Sequence, residues 1–119
     1  MEYVDGFVLA VPRRKLAEYR RIARAAGKIW KEFGAIDYRE CMGDDVSGKA
    51  ARPFARCTRL KHGEVVCFSW IVYKSKADRN RINARIMKEP RILKMMDPKN
   101  PIFDMKRMAY GGFKSMVSL

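Results

Sequence analysis

The sequence has a single histidine, His62, and three cysteines, Cys41, Cys57 and Cys67, with no Cys-x-x-Cys pair among them. That excludes a Cys/His zinc set and a disulfide framework, and it leaves no second imidazole to help build a haem site. No metal and no cofactor is expected. Acidic residues are scarce, 13 Asp and Glu against 26 Lys and Arg, for a net charge of +13. No apolar run approaches the length needed to span a bilayer. Met1-Glu2-Tyr3 opens directly on strand-like sequence, with neither a basic n-region nor an apolar h-region. The expected compartment is therefore the cytoplasm, where thiols stay reduced and no membrane is a partner.

What is present is enough for one folded unit. A chain of 119 residues with 48% hydrophobic content reads as a single globular domain spanning 1–119. Its plainest element is Glu64-Val65-Val66-Cys67-Phe68-Ser69-Trp70-Ile71-Val72-Tyr73, β-branched and aromatic with no Pro or Gly inside. Both of its alternating faces are apolar: Val65, Cys67, Ser69, Ile71 and Tyr73 on one, Val66, Phe68, Trp70 and Val72 on the other. A central strand buried on two sides is the expected result. Cys67 within it reads as a small core residue rather than a reactive thiol.

The remaining elements follow in order. Tyr3 to Val11 alternates as a strand that Pro12 ends. From Arg13 to Phe33, Leu16, Tyr19, Ile22, Ala23, Ala26, Ile29, Trp30 and Phe33 recur at helical steps, with Gly27 a weak point and Gly34 the stop. Ala35 to Met42 predicts a second strand, followed by a long loop to about Lys61. Ser75 is the expected N-cap of a helix running to about Glu89, with Asp78 three residues on. Pro90 breaks it, and Arg91 to Met96 predicts one further turn. Arg107 to Val117 predicts a fourth strand, with Gly111-Gly112 suggesting a bulge or a close backbone approach. The order βαββαβ is α+β: a ferredoxin-like, four-stranded antiparallel sheet with both helices on one face. The other face needs a cover too, and a homodimer packing sheet on sheet, a dimeric α/β barrel, is the economical one.

Five blocks carry a family resemblance: Tyr3-Val4-Asp5-Gly6-Phe7, Gly43-Asp44-Asp45-Val46, Phe68-Ser69-Trp70-Ile71-Val72-Tyr73, Met95-Met96-Asp97-Pro98-Lys99 and Met108-Ala109-Tyr110-Gly111-Gly112-Phe113. In this order they resemble the YbaA-like family of small bacterial proteins of unknown function. The resemblance implies the dimeric α/β-barrel fold and no particular activity. That wider fold group holds cofactor-free monooxygenases, haem-degrading enzymes, isomerases and ligand-sensing domains, so it selects no chemistry.

Two candidate sites emerge. If Gly6 and Ala10 face the helices, then Asp5 faces the inter-sheet cavity, with Ser69 and Tyr73 beside it. These three are the candidate ligand-binding residues for a small organic molecule, and Asp5 the candidate proton carrier of a cofactor-free enzyme. The plainer reading of Asp5 is a hydrogen-bonded structural carboxylate. The second site is the basic helical face. Arg13 to Phe33 carries eight Lys and Arg against two Glu, and Ser75 to Met96 carries seven against two acids. Arg20, Arg21, Arg24, Arg81, Arg85 and Lys88 could neutralise phosphates and give weak, non-specific RNA or DNA binding. The RNA-recognition motif shares the element order, but its basic-aromatic signature is missing from the third strand. His62 in Lys61-His62-Gly63-Glu64 reads as turn chemistry, and Asp44-Asp45 lacks the spacing of a calcium loop.

Overall fold

The computed structural model describes residues 1–49 and 52–119. Four strands, β1 (Tyr3–Pro12), β2 (Asp37–Met42), β3 (Glu64–Tyr73) and β4 (Ala109–Lys114), form one sheet in the order β2-β3-β1-β4. All three pairings are antiparallel, with Asp5 opposite Ile71 and Gly112, and Glu40 opposite Ser69. The long helix α1 (Leu16–Glu32), entered through a turn at Arg13–Lys15, and α3 (Lys76–Ile86) lie on one face. Two short helices, α2 (Ala55–Thr58) and α4 (Pro90–Met95), complete the chain. This is the expected ferredoxin-like α+β fold. The β3 bounds match the sequence pattern, the Ser75 hydroxyl accepts from the Asp78 N–H at 3.1 Å as an N-cap, and Pro90 opens α4 at its first turn, where its missing N–H costs nothing.

The core lies between the sheet and the helices. Ile29 and Phe33 of α1, Ile82 and Ile86 of α3 and Ile92 of α4 pack on Ile71 and Tyr73. A second cluster joins Leu9, Val11, Val65 and Cys67 to Leu16 and Tyr19. The helix-facing residues of β1 are therefore Tyr3, Asp5, Phe7, Leu9 and Val11, the reverse of the expected orientation. The large side chains fill the space under the helices, while Gly6 and Ala10 belong to the opposite face. Asp5, Ser69 and Tyr73 accordingly lie under the helices and not in an inter-sheet space.

The other face carries Val4, Val8, Trp70 and Val72, only part-buried, with Phe68 40% exposed and Phe113 61% exposed. The segment after β2 covers one end of it. Gly43 donates its N–H to the Val66 carbonyl at 2.8 Å, and Phe54 lies against Phe68 with ring centroids 5.7 Å apart. The long loop expected there thus includes α2, and residues 50 and 51 of it lie outside the described residues. No bulge occurs at Gly111-Gly112, where the register with β1 is continuous. What crowds Gly112 is not backbone but the Tyr3 hydroxyl and the Arg79 guanidinium, on which a Cβ would fall.

Candidate functional site beneath the first helix

The side of α1 that faces the sheet is built of small residues at its middle, Ala23, Ala26 and Gly27, and the strand position below is the small Ser69. Small against small leaves a gap that neighbouring side chains do not fill. The result is a chamber of about 300 Å³ with Phe7, Ser69 and Ile71 on its floor, Ala26 and Trp30 on its roof, and Phe103 and four methionines among its end walls. Gly27, which lines the neighbouring groove, makes room for the Tyr38 ring. A Cβ there would meet the Tyr38 ring at 2.5 Å, so only glycine lets that ring lie against the helix.

Glu40 is among the residues that line this chamber. It is on the same face of the sheet as Ser69, its register partner, and takes two hydroxyl hydrogen bonds. Tyr19 of α1 donates to Oε2 at 2.6 Å, and Tyr38 of β2 donates to Oε1 at 3.2 Å. Burial raises the Glu40 carboxyl above its ordinary value, while the two hydroxyl donors act in the opposite direction. Burial also raises both tyrosines, and the neighbouring carboxylate raises them further, so they remain donors. Cys67 is pushed up to about 11 by burial first and by Glu40 second, which leaves it a thiol and not a nucleophile at neutral pH. Glu40 is nevertheless exposed to solvent on its outer side, and a carboxylate so placed beside an apolar space can accept or deliver a proton there.

Beside this space, α1 and β2 line a groove of about 760 Å³, and both spaces are partly open to solvent. Tyr19, Ala23, Tyr38 and Glu40 line both spaces, so the Tyr19–Glu40 hydrogen bond forms the partition between them. Arg20, Arg24, Lys28 and Lys31 form one wall of the groove.

Asp5, Ser69 and Tyr73 are not gathered in one cavity. Ser69 lines the chamber. Asp5 is 1% exposed and already engaged: Arg79 Nε donates to it at 3.0 Å and Asn83 Nδ2 at 3.4 Å. Tyr73, fully buried, donates to Asn83 Oδ1 at 3.3 Å and accepts from the Trp30 indole at 3.2 Å. This network ties β1, β3, α1 and α3 together, as the structural reading of Asp5 requires. Of the basic residues, Arg20 and Arg24 face the groove. Arg21, Arg81, Arg85 and Lys88 are exposed, with Arg81 beside Asp78 and Arg85 stacked on the Phe33 ring at 3.9 Å. His62 is exposed just before β3, and among the described residues no three His, Cys, Asp or Glu side chains converge on a metal position.

Sequence reasoning missed Glu40, Tyr19 and Tyr38. The available signal was parity: Glu40 alternates with Tyr38 and Met42, and Tyr19 sits in the apolar stripe of α1 although it carries a hydroxyl.

The fold is shared with solved structures. SnoaB, a cofactor-independent oxygenase from Streptomyces nogalater, superposes with a TM-score of 0.61 at 14% identity, covering 99% of this chain and 96% of that one. A dimeric ferredoxin-like protein from an uncultured marine organism superposes with a TM-score of 0.50 at 12% identity, covering 100% and 98%. At such identities the likeness concerns the fold alone. In sequence, the uncharacterized protein YbaA of Escherichia coli K12 is 44% identical over 117 residues, 98% of each chain. The family described as "Protein of unknown function (DUF1428)" matches residues 2–105, and the chain belongs to that YbaA-like family.

Proposed function

We propose that the protein binds a small, flat, largely apolar organic molecule in the chamber between α1 and the sheet. The observation that carries this reading is the chamber itself: apolar on most sides, with Ser69 and Glu40 as its polar groups. Ligand sites have this make-up, many apolar contacts and a few oriented polar ones. The place of the ligand thus moves from the inter-sheet cavity expected from sequence to the helix side of the sheet. We also propose that the open sheet face is covered by a second copy of the chain, a reading that the dimeric ferredoxin-like neighbour supports. The three free cysteines suit a reducing compartment such as the cytoplasm.

Glu40 favours a second reading, a cofactor-free enzyme in which this carboxylate moves a proton of the bound molecule. SnoaB, a cofactor-independent oxygenase, shares the fold, and its 14% identity limits the comparison to that. Nitrogen-15 NMR titration with 2-naphthylmethanol tests the binding reading. Saturable shifts confined to residues around the chamber, absent in Ala26→Trp, are the expected result. Shifts spread over the open sheet face, or unchanged in Ala26→Trp, would remove the chamber as the site.

A further inference from the structure

Some arginines elsewhere in the fold are tied to acids, while for others, Arg13, Arg14, Arg21, Arg56, Arg59 and Arg85 among them, no carboxylate lies within ion-pair distance among the described residues. Arg79 pairs with Asp5, Arg81 with Asp78, Arg91 with Glu32 and Glu89, and Arg107 with Glu64 and Asp104. The cations of the groove wall belong to the second group, and what sets them apart is their place on a concave surface. Among the described residues no carboxylate lies within ion-pair distance of Arg20, Arg24 or Lys28, although Asp37 and Glu40 line the facing wall. Both of those acids have other partners: Asp37 accepts from the Trp70 indole at 3.2 Å and pairs with Arg39, and Glu40 accepts from the two tyrosines. Three uncommitted cations therefore stand on one stripe of α1, spaced four residues apart, along a concave surface.

Their spacing relative to the chamber is equally specific. Arg20 follows Tyr19 and Arg24 follows Ala23, both of which line the chamber, while Lys28 follows Gly27, which carries the Tyr38 ring. Neighbouring residues on a helix are offset by only about 1.5 Å along the axis and roughly 100° around it. Each cation thus stands one short step outside the apolar space. Guanidinium groups match the geometry of oxyanions, and in a groove they are less screened than on a convex surface.

We infer that the ligand is an amphipathic anion, with an aromatic body in the chamber and an oxyanion head held by Arg20, Arg24 and Lys28 in the outer groove. This rests on the chamber being a binding site and adds the ligand's charge and orientation to it. The occupant passes the partition at Tyr19 and Glu40, so its two ends lie in the two spaces that this hydrogen bond divides.

Calorimetric titration of the full chain with three probes of one ring system tests the inference: 2-naphthoate, 2-naphthyl phosphate and the neutral 2-naphthylmethanol. At least one anion should bind tenfold or more tightly than the alcohol, and the better of the two identifies the head as carboxylate or phosphate. The triple variant Arg20→Gln, Arg24→Gln, Lys28→Gln should lose that preference while its affinity for the alcohol is kept. A control triple of equal charge loss, Lys74→Gln, Lys88→Gln, Lys94→Gln, should leave the preference intact; all six are exposed, so neither set threatens folding. Equal affinity for all three probes, or equal loss in both triples, overturns the anion inference and leaves the chamber standing. No binding of any probe overturns both.

Discussion

At the residue scale the structure separates three carboxylates that look alike in sequence. Asp5 is closed off by Arg79 and Asn83 and serves the packing of four elements. Glu64 at the start of β3 is gripped by both terminal nitrogens of Arg107, at 2.8 and 2.6 Å, which holds its carboxyl down to about 2. Glu40 is shifted the other way by burial. The signs for stability are opposite. A depressed folded pKa stabilises above the ordinary glutamate value of about 4.3 and is lost as pH falls toward the folded value. A raised one stabilises at low pH and loses that contribution as pH rises through the folded value. Glu64→Gln is thus expected to lower the melting temperature at pH 7 and to flatten its fall between about pH 4.3 and 2. Glu40→Gln, at a solvent-exposed position, is expected to change the melting temperature at pH 7 less than Glu64→Gln does. Thermal melts across pH 2–8 check both, and a Glu40→Gln protein that melts as low as Glu64→Gln at pH 7 would make Glu40 a structural carboxylate. Asp5 was legible in sequence as a buried acid. Glu40, an exposed residue of β2, was not legible as a site residue, because its Tyr19 partner comes from α1, which no local pattern in β2 reveals.

At the scale of elements, the strands and helices were readable because hydrophobic period and breakers agree: β3, the Ser75 cap, Pro90 and Gly34 all fall where the pattern puts them. Which face of the sheet meets the helices was not readable. β3 is apolar on both faces, so parity alone is silent, and the small residues of β1 invited the wrong choice. Glycine and alanine suit close approach, but a helix layer over a sheet leaves a thick space that Phe7, Leu9 and Tyr73 fill. Gly27 repeats the lesson in α1. By propensity it is a defect, and replacing it with alanine inside a helix ordinarily gains about 0.5–1 kcal/mol. Here the added methyl would sit 2.5 Å from the Tyr38 ring, so the gain reverses. Gly27→Ala is expected to lower the urea midpoint and to weaken chamber binding by displacing Tyr38. A more stable variant with unchanged binding would show that the ring yields freely.

At the scale of the molecule, the charge and the open face make two further claims. The net +13 was plain from composition, but its arrangement was not, since Arg20 and Arg24 turn out to wall a groove while Arg21, Arg81, Arg85 and Lys88 stand on open surface. Duplex DNA or RNA is expected to bind weakly at low salt without sequence preference, each neutralised phosphate of DNA steepening the fall of log K with log salt by about 0.9. One RNA held through 200 mM salt against unrelated competitors would contradict this and make the helical face the principal site. The open sheet face makes the larger claim. Phe68 and Phe113 are exposed there beside Val4, Val8, Trp70 and Val72, a contiguous apolar surface of the kind that monomeric proteins seldom leave uncovered. A second copy would bring the same face, and two sheets packed in that way would align their strands and interdigitate their side chains. Light scattering at micromolar protein is expected to give about twice the chain mass of 13.8 kDa. Phe68→Glu should halve it: the ring is 40% exposed in the protomer, so a glutamate is tolerated by the fold but puts a charge against its symmetry mate's surface. Far-ultraviolet circular dichroism unchanged by the substitution would confirm that only the assembly was lost. A well-behaved wild-type monomer at the same concentration would instead leave the aromatic row Phe54, Phe68 and Trp70 free, and the sheet face would have to be explained by some other partner.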